Sequence, residues 1–200
     1  IATTLFNTAL TVAAWQQWGA GTGMLLATAL HGPWLSTVSA LTPRQSVFPD
    51  IQINTYTTRD QWLPAISRLT EDSVLVAWTS LGQDGDGNGI FGQRVDSQGQ
   101  KLGPELQVNT YTTGDQEYPA ISRLTDDSVL VVWQSGGDGS GWGIFGQRVD
   151  SFGQKQEPEL QINTYTTFSQ RNPAISRLTN DTVLVVWESI GDGSSWGIFG

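Results

Sequence analysis

The apolar residues of this 200-residue chain recur in short runs and do not form long helical stripes. The run Val129–Trp133 is followed by a turn rich in Gly and Asp and then by a second strand-like segment, Gly143–Asp150. The same arrangement returns at Val74–Trp78 and at Val183–Trp187. Self-similarity at a fixed period is typical of repeat proteins. The sequence is therefore interpreted as an array of one repeated unit.

Tryptophans that end the apolar runs mark the length of the unit. They are separated by 63, 55 and 54 residues and lie at Trp15, Trp78, Trp133 and Trp187. This spacing predicts a degenerate first repeat over 1–49, a second over 50–104, a third over 105–158 and a truncated fourth over 159–200. We expect the four to form one repeat domain that belongs to a longer chain.

Four strand-like segments are predicted in each well-preserved repeat. In the third repeat they are Glu105–Thr112, Pro119–Leu124, Ser128–Trp133 and Gly143–Asp150. The first alternates apolar and polar residues. The third is apolar at successive positions, as in a strand that is covered on both faces. The turns between them are rich in Gly, Asp and Ser, which favours an all-β fold.

One four-stranded antiparallel blade per repeat suits a β-propeller-type array. The blades of a propeller stack face to face, so a central strand is covered on both sides. A linear array of small β modules and a β-solenoid are the alternatives. Solenoid coils are usually shorter and seldom need three hairpin turns per repeat.

Charge and composition exclude several classes of partner. The net charge is −9, and the only lysines are Lys101 and Lys155, so binding to nucleic acid is not expected. Without cysteine, neither disulfides nor thiolate metal sites form. No apolar run reaches the roughly 18–20 residues that a membrane helix needs. We expect no insertion into a membrane.

A candidate calcium site lies in the turn of the second repeat. Asp84, Asp86 and Asn88 alternate with glycines, and oxygen ligands of this kind suit a hard cation. No twelfth-position Glu completes an EF-hand loop, because counting from Asp84 ends at Val95. The alternative is a Gly/Asp-rich turn that needs no ion. Calcium is the only cofactor that the sequence suggests.

Tryptophans outside the apolar runs are candidate carbohydrate-binding residues. Trp142 and Trp196 lie at hairpin tips beside Gly and Ser, and Trp62 is a weaker candidate of the same kind. Aromatic faces flanked by small polar residues can stack on sugar rings, and repeated sites bring avidity. The alternative is that these side chains pack over the neighbouring blade and hold the turn.

Residues for catalysis are poorly represented, and we predict no catalytic residue and no enzymatic activity. His31 is the only histidine, so a Ser-His-Asp triad would have to include it. The aspartates Asp72, Asp127 and Asp181 recur once per repeat, as do Arg68, Arg123 and Arg177. Such recurrence indicates turn residues and strand-edge ion pairs, because an active site is usually assembled from unlike residues at one place.

The repeated segments NTYTT, PAISRL, VLVVW and GIFGQRVD resemble a tandem repeat of very large secreted or cell-surface proteins of bacteria, including cyanobacteria. The likeness is strong over 50–200 and weaker over 1–49. The turn that follows VLVVW also resembles the Asp-box hairpin of sialidase-type propellers, although Asp138 and Asp192 lie one position late. The resemblance to the surface proteins implies extracellular display, adhesion or matrix structure, and no catalytic residue.

The sequence thus predicts a non-enzymatic extracellular repeat module for adhesion, matrix or surface-filament structure. A lectin-like carbohydrate-binding propeller is one alternative, and an accessory propeller of a secreted hydrolase is another. The expected partners are other copies of the chain or neighbouring repeats, and glycans. The expected location is secreted or on the cell surface.

Overall fold

The computed structural model describes residues 50–200 except 125–126, 180–181, 192, 194 and the side chain of Asp138. In this part the regular structure consists of eleven β-strands and one short 3-10 turn. The first sheet contains β1 (Gln61–Arg68), β2 (Ser73–Leu81), β3 (Asn88–Asp96) and β4 (Lys101–Gln107). The second contains β5 (Gln116–Arg123), β6 (Ser128–Ser135), β7 (Gly143–Asp150) and β8 (Lys155–Gln161), with a 3-10 turn at Gly136–Asp138. The third contains β9 (Gln170–Thr179), β10 (Thr182–Ser189) and β11 (Gly197–Phe199).

Each sheet is an antiparallel meander whose strands pair in chain order. The predicted all-β, propeller-type array of repeated sheets is confirmed. The strands predicted over Ser128–Trp133 and Gly143–Asp150 are present as β6 and β7. The predicted degenerate repeat over 1–49, with Trp15 and His31, lies outside the described residues.

The strand predicted over Glu105–Thr112 was partly wrong. Strand β4 ends at Gln107 and pairs with β3, so it is the fourth strand of the first sheet and does not begin the second. Residues 108–115 form a loop, because the side chain of Asn109 donates to Tyr111 O (3.0 Å) and to Gln116 Oε1 (2.9 Å). These bonds close the loop in place of strand pairing.

The central strand β6 is covered on both faces, as its sequence predicts. Val129, Val131 and Trp133 pack against the first sheet, and Trp133 is 0% exposed. The intervening Leu130 and Val132 pack against the third sheet. Successive residues of a strand point to opposite faces, so an all-apolar run fits a sheet that lies between two others.

The first strands of the three sheets approach one another. Strand β5 contacts β1 and β9, and it lies against the first sheet through β2 and β3 as well. The sheets therefore fan outwards from β1, β5 and β9, which form the inner side of the array. No helix in the described part of the chain is long and apolar enough to cross a membrane.

Candidate functional site

Strained backbone recurs at one position of each inner strand. Leu63, Tyr118 and Asn172 have φ of 55°, 57° and 53°. The pairing register shifts across each of them, as in a β-bulge. A left-handed conformation is costly for residues with a side chain, and such strain clusters at functional sites. The bulge is therefore a candidate site feature in all three sheets.

The three bulges meet at one pocket on the inner side of the array. The pocket has a volume of about 220 Å³ and is lined by one residue pair from each sheet: Leu63 and Pro64, Tyr118 and Pro119, Asn172 and Pro173. Tyr118 is 42% exposed there. The convergence of β1, β5 and β9 thus brings together residues that are about 55 positions apart in sequence.

The residues at the bulges differ among the three repeats, although the short segment that contains them is otherwise identical. Each repeat reads Gln, two variable residues and then Pro-Ala-Ile-Ser-Arg-Leu. The variable pairs are Trp62-Leu63, Glu117-Tyr118 and Arg171-Asn172. Positions that only hold a fold together would be expected to repeat with the rest of the unit. This pocket was not predicted from the sequence, although two variable residues within an otherwise constant segment mark its position.

A chain of hydrogen bonds crosses all three sheets beside the pocket. Asn88 Nδ2 donates to Glu117 Oε1 at 2.7 Å, and Gln134 also donates to the Glu117 carboxylate. Gln134 Oε1 accepts the backbone N–H of Asn172 at 3.1 Å, and Asn172 Nδ2 donates to Glu188 Oε2 at 3.0 Å. Glu117 and Gln134 are cross-strand partners within one sheet. The network therefore orients the polar groups around the bulges.

Glu117 is electrostatically distinctive in this network. Burial raises the pKa of its carboxyl, and the negative charge of Asp115 raises it further. Hydrogen bonds from Asn88 and Gln134 act in the opposite direction but do not outweigh these effects. The carboxyl therefore holds a proton more readily than an exposed glutamate.

The three predicted carbohydrate-binding tryptophans lie in different surroundings. Trp62 is half-buried on β1, next to Leu63 of the pocket. Trp142 is half-buried, and its backbone O accepts a bond from Gln170 N at 2.6 Å. Trp196 is 47% exposed, and the Arg171 guanidinium lies 5.5 Å from its ring centre. A sugar-stacking role for these residues stays a prediction.

The predicted calcium ligands contact different neighbours. Asp84 Oδ2 accepts from Asn109 Nδ2 (3.2 Å), and Asp86 Oδ2 accepts from Gly114 N (3.1 Å). Asn88 bonds to Glu117, as described above. Across the described residues, no group of three or more acidic, histidine or cysteine side chains is arranged to hold a metal ion. Calcium binding by Asp84, Asp86 and Asn88 therefore stays a prediction.

The recurring arginines lie at the other ends of the inner strands. Arg68 pairs with Glu71 at 3.2 Å, and Arg123 pairs with Glu71 at 3.0 Å and with Asp127 at 2.6 Å. Glu71 and Asp127 are exposed, so these pairs add little to stability.

Comparisons with known proteins gave matches among solved structures alone. The sequence matches no family model and no characterised protein. Among solved structures, the chain is similar to an endo-arabinase from Bacteroides thetaiotaomicron, with 14% identity and a TM-score of 0.47 over 70% of this chain and 54% of the enzyme. It is also similar to a thermostable family-43 glycoside hydrolase, with 8% identity and a TM-score of 0.44 over 64% of this chain and 48% of the enzyme. The chain thus spans about half the length of each.

These neighbours contradict two functional predictions. The sequence predicted a non-enzymatic module for adhesion, matrix or surface-filament structure, and it predicted no enzymatic activity. The similar structures are an endo-arabinase and a glycoside hydrolase. Both predictions rested on the resemblance of the repeated segments to surface proteins and on the scarcity of catalytic residue types.

Proposed function

We propose that the described residues form a carbohydrate-binding propeller module whose binding site is the pocket at the three bulges. The observation that carries this proposal is the convergence of unlike residue pairs, Leu63-Pro64, Tyr118-Pro119 and Asn172-Pro173, at one pocket on the inner side. Binding sites are concave, partly apolar and equipped with a few convergent polar groups. This pocket has each of these features.

The chemistry of the pocket suits a sugar. The exposed ring of Tyr118 offers an apolar face to the C–H face of a pyranose or furanose, and its hydroxyl can exchange hydrogen bonds with sugar hydroxyls. The amide of Asn172 supplies a donor and an acceptor beside it. At about 220 Å³ the pocket is smaller than the roughly 300–1,000 Å³ of sites for drug-sized ligands. It therefore suits one sugar residue of a longer glycan.

Rigid presentation of these side chains favours binding. Asn172 is held through both its backbone N–H and its side chain, by Gln134 and Glu188. The proline after each bulge removes one free torsion. Pre-organised groups lose less conformational entropy when a ligand binds. The strained bulges are maintained by this surrounding structure.

Glycan binding can be tested by substitution in the full chain. A glycan array identifies a ligand, and calorimetry then measures its affinity for the wild type, Tyr118→Ala and Asn172→Ala. We expect each substitution to weaken binding at least tenfold with an unchanged fold. Phe152→Ala is the control, because Phe152 is 75% exposed in the turn between β7 and β8. If Trp196→Ala abolishes binding while Tyr118→Ala does not, the glycan binds at the hairpin tip and the proposed pocket is wrong.

The remaining expectations about context stay predictions. They are the secreted or cell-surface location, contacts with other copies or neighbouring repeats, and kinship with the repeat of large bacterial surface proteins. Fractionation of the native host would test the location directly.

A further inference from the structure

The junction between the first and second sheets differs in charge from the next junction. Asn88, just before Gly-Ile-Phe-Gly of β3, faces Asp115, which directly precedes β5, and Glu117 of β5. One repeat later, the corresponding residues are Trp142, Ser169 and Arg171. The second junction therefore has an arginine at the position where the first has a glutamate. Of the two junctions, only the first brings two carboxylates and an amide together.

Asn88 is held between the two carboxylates. Its backbone N donates to Asp115 Oδ1 at 3.0 Å, and its side-chain Nδ2 donates to Glu117 Oε1 at 2.7 Å. Only 9% of Asn88 is exposed. Its Oδ1 is buried and has no hydrogen-bond partner among the described residues. This unpaired acceptor belongs to the same planar amide as the Nδ2 that donates to Glu117. Buried acceptors without a partner are uncommon and require an explanation.

In the part of the chain that the structure describes, no ion pair balances the charge of the two carboxylates. Within the described part of the chain, no Lys or Arg forms an ion pair with Asp115 or Glu117. The carboxylates accept N–H groups of Asn88 and Gln134, and a further acceptor, Gly114 O, lies near Asp115. A Cβ built at Gly87 would lie 2.8 Å from Asp115 Oδ1 and 2.7 Å from Gly114 O, so the hairpin tip packs directly on this pair of oxygens. The junction is thus rich in oxygen acceptors, and none of them pairs with a basic side chain of the described residues.

We propose that this junction binds Ca²⁺ through Asn88 Oδ1 and the carboxylates of Asp115 and Glu117. Calcium takes six to eight oxygen ligands in flexible geometry, and water completes the shell at sites with few protein ligands. This site differs from the calcium loop that the sequence predicted. Both include Asn88, but the other ligands here are Asp115 and Glu117 and not Asp84 and Asp86. An ion there links two sheets and satisfies the unpaired amide oxygen.

The small number of charged ligands sets the expected affinity. Sites with few carboxylates, as in extracellular modules, have dissociation constants of about 10⁻⁴–10⁻³ M. An ion that binds only the folded state raises the melting temperature in proportion to the logarithm of its concentration. For a domain of this size we expect a rise of roughly 5 °C at 10 mM Ca²⁺.

Calorimetric titration of the chelator-treated full chain with CaCl₂, together with melting curves, tests the proposal. We expect a single weak site, a melting temperature that rises with Ca²⁺, and no comparable rise with MgCl₂ at equal ionic strength. Glu117→Gln and Asp115→Asn should each weaken Ca²⁺ binding at least tenfold. Two isosteric variants are used so that a folding defect in one, visible in its circular dichroism, leaves the other informative.

Asp84→Asn and Asp86→Asn are the matched controls, because they remove the same charge from the neighbouring hairpin loop. Both should bind Ca²⁺ like the wild type. The proposal is overturned if the wild type shows neither heat nor a melting shift. It is overturned equally if the loop variants lose Ca²⁺ while Glu117→Gln keeps it, since the loop would then be the site. Neither result tests glycan binding, which is measured separately with the Tyr118→Ala variant.

Discussion

The side-chain oxygen of Asn109 accepts a hydrogen bond from the backbone N–H of Ile90, which belongs to the preceding sheet, at 2.9 Å. Asn163 repeats the contact with Ile144 at 2.7 Å. In each case the Asn side chain also donates to a Gln seven residues later, Gln116 or Gln170. These asparagines are fully or almost fully buried. The Asn-Gln pair of each connecting loop therefore ties one sheet to the next.

Replacement of Asn109 by Ala should destabilise the array. It leaves the buried N–H of Ile90 without an acceptor and opens the loop that Gln116 closes, which costs about 2–3 kcal/mol of the free energy of unfolding. Urea unfolding followed by tryptophan fluorescence measures the loss. Thr113→Ala, an exposed position in the same loop, is the control and should change stability by less than about 0.5 kcal/mol. A loss equally small for Asn109→Ala would show that the contact does not join the sheets.

The left-handed backbone at the bulges predicts that two substitutions of Tyr118 differ in protein stability but not in glycan binding. At Tyr118, with φ 57°, both Ala and Gly remove the ring, but only Gly adopts this conformation without strain. Tyr118→Gly should therefore be about 1 kcal/mol more stable than Tyr118→Ala, while both lose the glycan. Thermal unfolding and calorimetry of the pair provide the comparison. Equal stability of the two variants would mean that the bulge relaxes after substitution.

Glu105 predicts a dependence of stability on pH. Burial alone would raise the pKa of its carboxyl, but hydrogen bonds from Gln83 and Thr55 outweigh burial and hold the pKa below its ordinary value. A carboxyl whose pKa is lower in the folded state stabilises the protein above its unfolded pKa, near 4.3. That contribution is lost as the pH falls through the folded pKa.

Glu105→Gln should consequently lose less stability than the wild type when the pH falls from 6 to 3. Melting temperatures across this range measure the difference. Asp60→Asn, which changes an exposed carboxyl at the start of the same sheet, is the control and should follow the wild-type curve. If the Glu105→Gln curve also runs parallel to the wild type, the hydrogen bonds of Glu105 do not contribute.

Particular elements show why part of the fold could be predicted. The run Val129–Trp133 is apolar at every position, and only a strand covered on both faces buries all of it, as β6 does. The segment Gly143–Asp150 is bounded by Gly and Asp turns and became β7 without change. The segment Glu105–Thr112 alternates like a strand throughout, but the hydrogen bonds of Asn109 end it at Gln107. Local pattern does not show such side-chain competition.

The candidate sites were predicted less well than the strands, because the sites depend on contacts between residues that are distant in sequence. Asp84, Asp86 and Asn88 are close in sequence, and this proximity suggested that their oxygens would meet. In the structure Asn88 bonds to Asp115 and Glu117, 27 and 29 residues away, because the hairpin tip packs on the next sheet. Tyr118 gave no local signal of a pocket. Its place in the pocket becomes visible only when the structure brings Leu63 and Asn172 beside it.

The repeat, the central strand of each unit and the apolar runs that require stacking could be predicted from the amino-acid sequence, since these depend on residues a few positions apart. Three features depend on how the sheets pack in the tertiary structure. They are the contacts between repeats, the place where the inner strands converge and the carboxylates that share a junction. These relationships join residues about 30 to 55 positions apart. They depend on the angle and spacing at which one sheet packs on another, and the hydrophobic pattern of a single strand does not specify either.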